Sequence, residues 1–199
     1  MAIGVGVAMA GFAFLGPAKT IRGAKIMFIA VLVLMPLTVA FLPVEMIFDA
    51  SDGKVPPSWL QRVAIWQSAG ARLGEGLPFG FGADFAREWK AIAPMIDIPG
   101  APVPMSIMPT HPHNVFVQIW LELGIPGALL MGGFVFVSVG MLERNIKTPI
   151  VAAGLMGAFG AVFVSLMLES SIWQVWRLAA IALAGMGVAL SYSIDRKSH

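Results

Sequence analysis

Long apolar stretches with almost no charge constrain this chain more than any other feature. Of its 199 residues, 58% are hydrophobic and 12% are charged, whereas about 25% of the residues of a soluble domain are charged. A helix that crosses a bilayer needs about 20 apolar residues, and its backbone polar groups must be satisfied within the protein. The sequence therefore predicts an all-α integral membrane protein with about five transmembrane helices. The predicted spans are Met1–Gly16, Ile26–Leu42, Phe116–Leu142, Ile150–Leu168 and Ile172–Tyr192.

The first of these spans is short, and the second contains a proline. Met1–Gly16 is apolar from its first residue and lacks the basic region of a signal peptide. This start inside a hydrophobic run indicates that an upstream portion of a longer protein is missing, although a short, tilted first helix is an alternative. In the second span Pro36 predicts a kink, and Pro43 ends the helix.

Basic residues between the spans predict how the chain is oriented. Clusters at Lys19–Lys25, Arg144–Lys147 and Arg196–Lys197 fall on one side when five spans are threaded. The positive-inside rule makes that side cytoplasmic, so the long polar segment lies outside. The predicted organisation is two transmembrane helices in residues 1–43, an extracytoplasmic loop in 44–115, three transmembrane helices in 116–193 and a cytoplasmic tail in 194–199.

The external loop contains two helical patterns. Ser58–Leu73 begins after a Pro-Pro pair and places Trp59, Val63 and Trp66 near one face, which is typical of a helix on a membrane surface. Asp84–Ile92 is predicted to be a second, short helix. The Gly- and Pro-rich residues before it are predicted to be irregular, as are Pro94–Pro109.

The sequence Thr110–Asn114 (THPHN) joins this loop to the third span. Pro112 restricts His111 to an extended conformation, and Asn114 is placed to cap the helix that follows. The positive end of that helix dipole would lower the pKa of His113 and keep it neutral. A neutral imidazole at a membrane surface is a candidate general base, whereas a purely structural capping pair is the simpler alternative.

Other polar side chains suggest a site for a phosphate group rather than for a metal or nucleic acid. A metal held by His111 and His113 would need a third ligand, and no Asp, Glu or His has a convincing spacing. There is no cysteine, and the net charge of +2 is too small and dispersed for nucleic acid binding. Guanidinium groups bind phosphate oxygens through paired donors, although headgroup contact is commoner, and glycine backbones allow a phosphate to approach. The candidate phosphate-binding residues are Arg62, Arg72, Arg87, Gly80 and Gly82.

Three ionisable residues lie in or beside the predicted spans. Glu122 lies within the third predicted span, while Glu169 and Arg177 flank the start of the last. Such residues suggest function by default because an unpaired buried charge is costly. A structural salt bridge between Glu169 and Arg177, and a Glu122 carboxylate near lipid headgroups, are the alternatives.

Four short motifs, in order, resemble the O-antigen ligase and polymerase superfamily. They are Arg62–Trp66 (RVAIW), Pro78–Gly82 (PFGFG), His113–Asn114 and Gly124–Gly127 (GIPG). The resemblance covers roughly residues 20 to 190, the C-terminal half of such proteins, and implies a fragment of a GT-C-like helical bundle.

The resemblance also implies an activity. It implies a metal-independent, inverting glycosyltransferase without a cofactor at the periplasmic face of the bacterial inner membrane. The donor would be a glycan on undecaprenyl diphosphate, and the acceptor would be the lipid A core for a ligase or another glycan for a polymerase. His113 would activate the acceptor hydroxyl and Arg62 would contact the diphosphate. Independently of the resemblance, the further candidate substrate-binding residues are Arg72, Arg87, His111, Asn114, Gly80 and Gly82.

Two interpretations from other classes remain open. One is half of a transporter or channel, but the second and fourth spans offer few polar residues (Thr38 and Ser165) to line a pathway. The other is an inactive, truncated membrane scaffold that docks a lipid or protein on its external loop.

Overall fold

The computed structural model describes residues 1–41, 43–146, 148–168, 171–176, 179–180, 182–183, 185–187 and 193. Helices dominate this part of the chain, and two strands of two residues each form a small antiparallel hairpin. The predicted all-α class is therefore confirmed. The elements are α1 (Ala2–Leu15), α2 (Pro17–Val39), α3 (Val44–Ala50), α4 (Pro57–Gly76), α5 (Phe85–Ile92), β1 (Met95–Ile96), β2 (Met105–Ser106), α6 (Val115–Asn145) and α7 (Pro149–Leu168).

Three of the described helices, α2, α6 and α7, are long and apolar enough to cross a membrane. This confirms that the chain is a membrane protein. The first predicted span corresponds to α1, which has 14 residues and is shorter than a bilayer crossing requires. The last predicted span, the Glu169–Arg177 pair, and the basic residues Lys147, Arg196 and Lys197 lie wholly or partly outside the described residues.

The boundaries of two long helices differ from those predicted. Helix α2 begins at Pro17 rather than Ile26, so its first turns carry the basic residues placed before the span. A proline suits the first turn, where its missing N–H removes no helical hydrogen bond. The helix continues through Pro36 to Val39. Helix α6 has a kink at Gly124, whose φ of 57° and ψ of −147° are not helical.

The chain forms two compact units. The first comprises residues 1–30 and 131–199, and in it α1 packs closely on α7. A Cβ atom on Gly6 would lie 2.7 Å from the carbonyl oxygen of Gly157, so only a glycine allows this approach. Small residues are typical of close helix packing in membranes.

The second unit comprises residues 31–130 and has its own core. The buried face of α4 includes Leu60, Ile65 and Ala69, each with 0% exposure, and also Trp66. Helix α3 is a short helix that the sequence did not predict, and it packs against α4. Val44 and Ile98 belong to the hydrophobic cluster between them. Helix α4 itself, and α5, confirm the two predicted helical segments. The hairpin of β1 and β2 lies where an irregular segment was expected.

Candidate functional site

The Thr110–Asn114 loop is anchored to the start of α6 by Asn114. This side chain is fully buried, and its Oδ1 accepts the backbone N–H groups of Phe116 at 3.0 Å and Val117 at 3.1 Å. Its Nδ2 lies 3.2 Å from Sδ of Met35. The predicted helix cap is confirmed. Because its oxygen accepts these two bonds, Asn114 fixes the loop to the start of α6.

A second anchor comes from α4. The indole N–H of Trp66 donates to the carbonyl oxygen of Pro112 at 2.8 Å, in a buried environment. Pro112 stands between the two histidines, so this bond fixes the backbone that carries both imidazoles. An indole N–H that is buried normally finds such a partner.

The two imidazoles lie side by side, with ring centroids 4.4 Å apart and planes inclined at 53°. His113 has a φ of 53°, in the left-handed region, which few residues other than glycine adopt. Conformations of this kind cost about 1–3 kcal/mol and cluster at functional sites. The hydroxyl of Thr110 lies 3.2 Å from Nδ1 of His111.

His113 is neutral at pH 7 because its surroundings oppose protonation. Partial burial lowers its pKa from 6.5 to about 4, and electrostatic interactions with His111 and Arg62 lower the pKa further. The sequence predicted this direction from the helix dipole, whereas the causes found are burial and the electrostatic influence of His111 and Arg62. A cation beside the imidazole also places Arg62 at the site.

Arg62 has a buried donor that no residue described by the structure accepts. It lies one turn before Trp66 on α4, and its guanidinium carbon is 5.1 Å from the ring centroid of Trp59. Its Nε is buried and has no hydrogen-bond partner among the described residues. Leaving such a donor unsatisfied costs about 1–3 kcal/mol, so the site is suited to an anion that would accept from it.

The other two predicted arginines lie elsewhere. Arg72 follows Arg62 by ten residues on α4, which is about 15 Å along the axis at 1.5 Å per residue. It pairs with Glu75 at 3.3 Å and covers the ring of Trp89 at 4.6 Å. Arg87 pairs with Asp84 at 3.0 Å and is exposed. In the structure, Arg62 therefore lies near His113, whereas Arg72 and Arg87 interact with residues in or beside α5.

The glycines of the PFGFG sequence contact the kink of α6. The N–H of Gly82 donates to the carbonyl of Glu122 at 2.9 Å, and that of Gly80 donates to Gly76 at 2.7 Å. Gly80 has a φ of 78° and touches the backbone of Glu122 and Leu123. These N–H groups were expected to face a phosphate. They are instead bonded within the protein, and glycine is required because two backbones meet.

Glu122 stabilises this junction. It is fully buried, and its carboxylate accepts the backbone N–H groups of Asp84 at 3.0 Å and Ala86 at 3.4 Å, at the start of α5. Gln118, one turn earlier on α6, donates to it at 3.0 Å. An anion is stabilised at a helix N-terminus. The only sequence signal was an ionisable residue inside an apolar span.

The polar groups that converge are imidazole and guanidinium. The described part of the chain contains no group of three or more His, Cys, Asp or Glu residues that could hold a metal ion. A neutral base and a cation within one small site suit a reaction that removes a proton from one group and releases an anion.

Comparison with known proteins identifies the family. The profile described as O-antigen ligase matches residues 1–132, more than half of the chain. A protein named "Putative polysaccharide ligase" from Rickettsia conorii is 30% identical over 125 residues, which are 62% of this chain and 30% of that protein. Its namesake from Rickettsia prowazekii is 32% identical over 122 residues, 60% of this chain and 29% of that protein.

The chain thus aligns with about 30% of the length of the curated relatives that it matches. No solved structure matches it. The family match covers α4, the PFGFG segment, the histidine loop and the kink of α6. On this match, the chain belongs to the O-antigen ligase family.

Proposed function

We propose that this chain carries the acceptor-activating site of a glycosyltransferase that moves a glycan from undecaprenyl diphosphate to an acceptor hydroxyl. The observation that supports it most directly is the pairing of His113 with Arg62. The imidazole has a pKa lowered to about 4, and the guanidinium keeps a buried Nε without a partner among the described residues. A base and an anion-binding donor therefore share one site.

In the proposed reaction, the acceptor hydroxyl attacks the anomeric carbon of the carrier-linked sugar. A new C–O bond forms while the bond between that carbon and the diphosphate oxygen breaks. The hydroxyl proton passes to the imidazole of His113, and the electron pair of the broken bond leaves with the diphosphate. Attack opposite the leaving group inverts the anomeric carbon, and no metal or covalent intermediate is required.

Arg62 has two effects in this scheme. Its guanidinium stabilises the negative charge that grows on the leaving diphosphate, which is the usual role of a fixed cation in a transition state. It also lowers the pKa of His113 in the free protein. A bound diphosphate offsets that positive charge, so substrate binding raises the pKa of His113 and makes it a stronger base when it is needed.

The surrounding residues position these two. His111 lies against His113, Asn114 caps the helix below them, and Arg72, Arg87, Gly80 and Gly82 support α5 and the kink of α6. We assign the site to the periplasmic face of the bacterial inner membrane, with the C-terminus in the cytoplasm, as the distribution of basic residues predicts.

We favour a ligase that uses the lipid A core as acceptor over a polymerase that extends a glycan. The family profile carries the name O-antigen ligase, and the relatives named above are called polysaccharide ligases. The polymerase is the second candidate because it shares the donor and the chemistry, and it differs only in the acceptor.

The experiment measures glycan transfer from undecaprenyl diphosphate in proteoliposomes that contain the full 199-residue chain, with and without EDTA. Lipid A core and a glycan repeat are offered as separate acceptors. We expect transfer to the lipid A core, a loss of about 10²–10⁴-fold in His113→Gln, as for a general base, and little change in Lys54→Gln, an exposed loop cation.

The alternatives give distinct results. Transfer only to the glycan repeat would identify a polymerase. Equal transfer by the parent and His113→Gln would show that His113 is not the general base. Inhibition by EDTA would contradict a metal-independent reaction. Binding of the carrier lipid without transfer to either acceptor would favour the membrane scaffold.

A further inference from the structure

A groove with a charged rim lies at the C-terminal end of α6, in the unit formed by residues 1–30 and 131–199. It has a volume of about 710 Å³, within the usual range of about 300–1,000 Å³ for ligand sites. Its rim combines basic residues from the start of α2 with the last turns of α6. The lining includes Arg22, Lys25, Phe136, Met141, Glu143 and Arg144.

The rim has an excess of positive charge that is held in place. One carboxylate of Glu143 binds two cations, Arg22 at 2.6 Å and Lys25 at 2.8 Å. The side chains of Lys25 and Glu143 are only 14% and 13% exposed. Arg144 forms no ion pair with any residue that the structure describes. Three cations against one carboxylate leave two positive charges at the groove.

The wall below this rim is apolar and uncovered. Phe136 and Met141 of α6 are 59% and 58% exposed, and Ile26 of α2 is 59% exposed. The ammonium of Lys25 lies 5.2 Å from the ring centroid of Phe136, so cation and apolar wall adjoin directly. Both α2 and α6 are long and apolar enough to cross a membrane. This wall therefore belongs to helices whose natural surroundings are acyl chains.

We infer that the groove binds one anionic phospholipid. Its phosphate lies between Arg144 and the Arg22–Lys25 pair, and an acyl chain follows Phe136 and Met141. Basic pockets between membrane helices are typical sites for anionic headgroups. Glu143 sets the position of two of the cations and limits the site to one anion. A free phosphate would leave the apolar wall uncovered, whereas a phospholipid satisfies both parts.

The inference does not depend on the proposed enzymatic activity. It is tested by native mass spectrometry of the full chain in detergent, titrated separately with phosphatidylglycerol and with phosphatidylcholine. We expect one phosphatidylglycerol to bind in preference to phosphatidylcholine. The double variant Lys25→Gln/Arg144→Gln should weaken binding about 30-fold, since each cation near an anionic surface contributes about 1 kcal/mol.

Two further variants separate a built site from general charge attraction. Lys19→Gln removes a cation from the same turns of α2, but Lys19 lines a different groove, so it should change affinity less than about twofold. Glu143→Gln releases Arg22 and Lys25 and should tighten phosphatidylglycerol binding, which a folding defect would not do. Equal affinity for the two lipids, or an equal loss in Lys19→Gln and the double variant, would overturn the inference. Displacement of the lipid by millimolar inorganic phosphate would do so as well.

Discussion

Trp66 donates its indole N–H to the carbonyl oxygen of Pro112 at 2.8 Å, and this bond joins the loop helix α4 to the segment between His111 and His113. The same helix carries Arg62 one turn earlier. This bond, together with the Asn114 cap on α6, therefore positions the base relative to the cation of the proposed site. Their relative position depends on packing within residues 31–130.

Trp66→Phe is expected to reduce activity more than stability. The substitution keeps the buried ring but leaves the Pro112 carbonyl unpaired, which costs about 1–3 kcal/mol. A shift of about 1 Å in a reacting group can lower a rate about 10²-fold, so we expect transfer to fall at least tenfold. The matched control is Trp120→Phe, which removes an equivalent indole bond of 2.7 Å to the Leu32 carbonyl. Equal losses of transfer in the two variants would show that Trp66 has only a structural role.

The pKa of His113 is expected to rise when Arg62 loses its charge. In the free protein the pKa is about 4, so His113 is mostly neutral above pH 5 and kcat/KM should decline only as the pH falls toward 4. Arg62→Gln removes one cause of the lowering and should move both the titration and this acidic limb to higher pH. NMR of ¹³C-labelled histidine in micelles measures the pKa. Arg87→Gln, an exposed control, should leave this pKa unchanged. An unshifted pKa in Arg62→Gln would show that Arg62 does not act on His113.

The sequence predicted those features that local rules determine. Helices α4 and α5 follow from the spacing of apolar residues and from the Pro-Pro start, and the Asn114 cap follows from its position before an apolar run. Contacts between distant segments were not predictable. Gly80 and Glu122 are 42 residues apart in the sequence, yet their backbones touch. Because the sequence does not show this contact, it suggests phosphate binding as the reason for the glycines. The left-handed φ of His113 likewise depends on anchors from α4 and α6.

Glu122→Gln is expected to loosen α5. The buried carboxylate accepts N–H groups from Asp84 and Ala86 and a side-chain donor from Gln118. An amide replaces one acceptor oxygen by a donor, which then faces those donors, and hydrogen bonds to charged groups contribute about 1.5–3 kcal/mol. Hydrogen exchange should accelerate in residues 84–92 before the rest of the loop. Glu88→Gln, an exposed change in the same helix, is the control. Unchanged protection of α5 in Glu122→Gln would contradict this assignment.

Gly124→Ala is expected to disrupt the junction between the PFGFG segment and α6. Gly124 has a φ of 57° and a ψ of −147°, a region essentially reserved for glycine, where other residues cost about 1–3 kcal/mol. An added Cβ would also overlap the Pro78 carbonyl and the backbone of Phe79 and Gly80, so the strain should exceed that figure. Gly133→Ala in the same helix meets open space and should stabilise α6 by up to about 1 kcal/mol. Thermal unfolding in detergent compares the two variants, and similar midpoints would show that the kink tolerates a side chain.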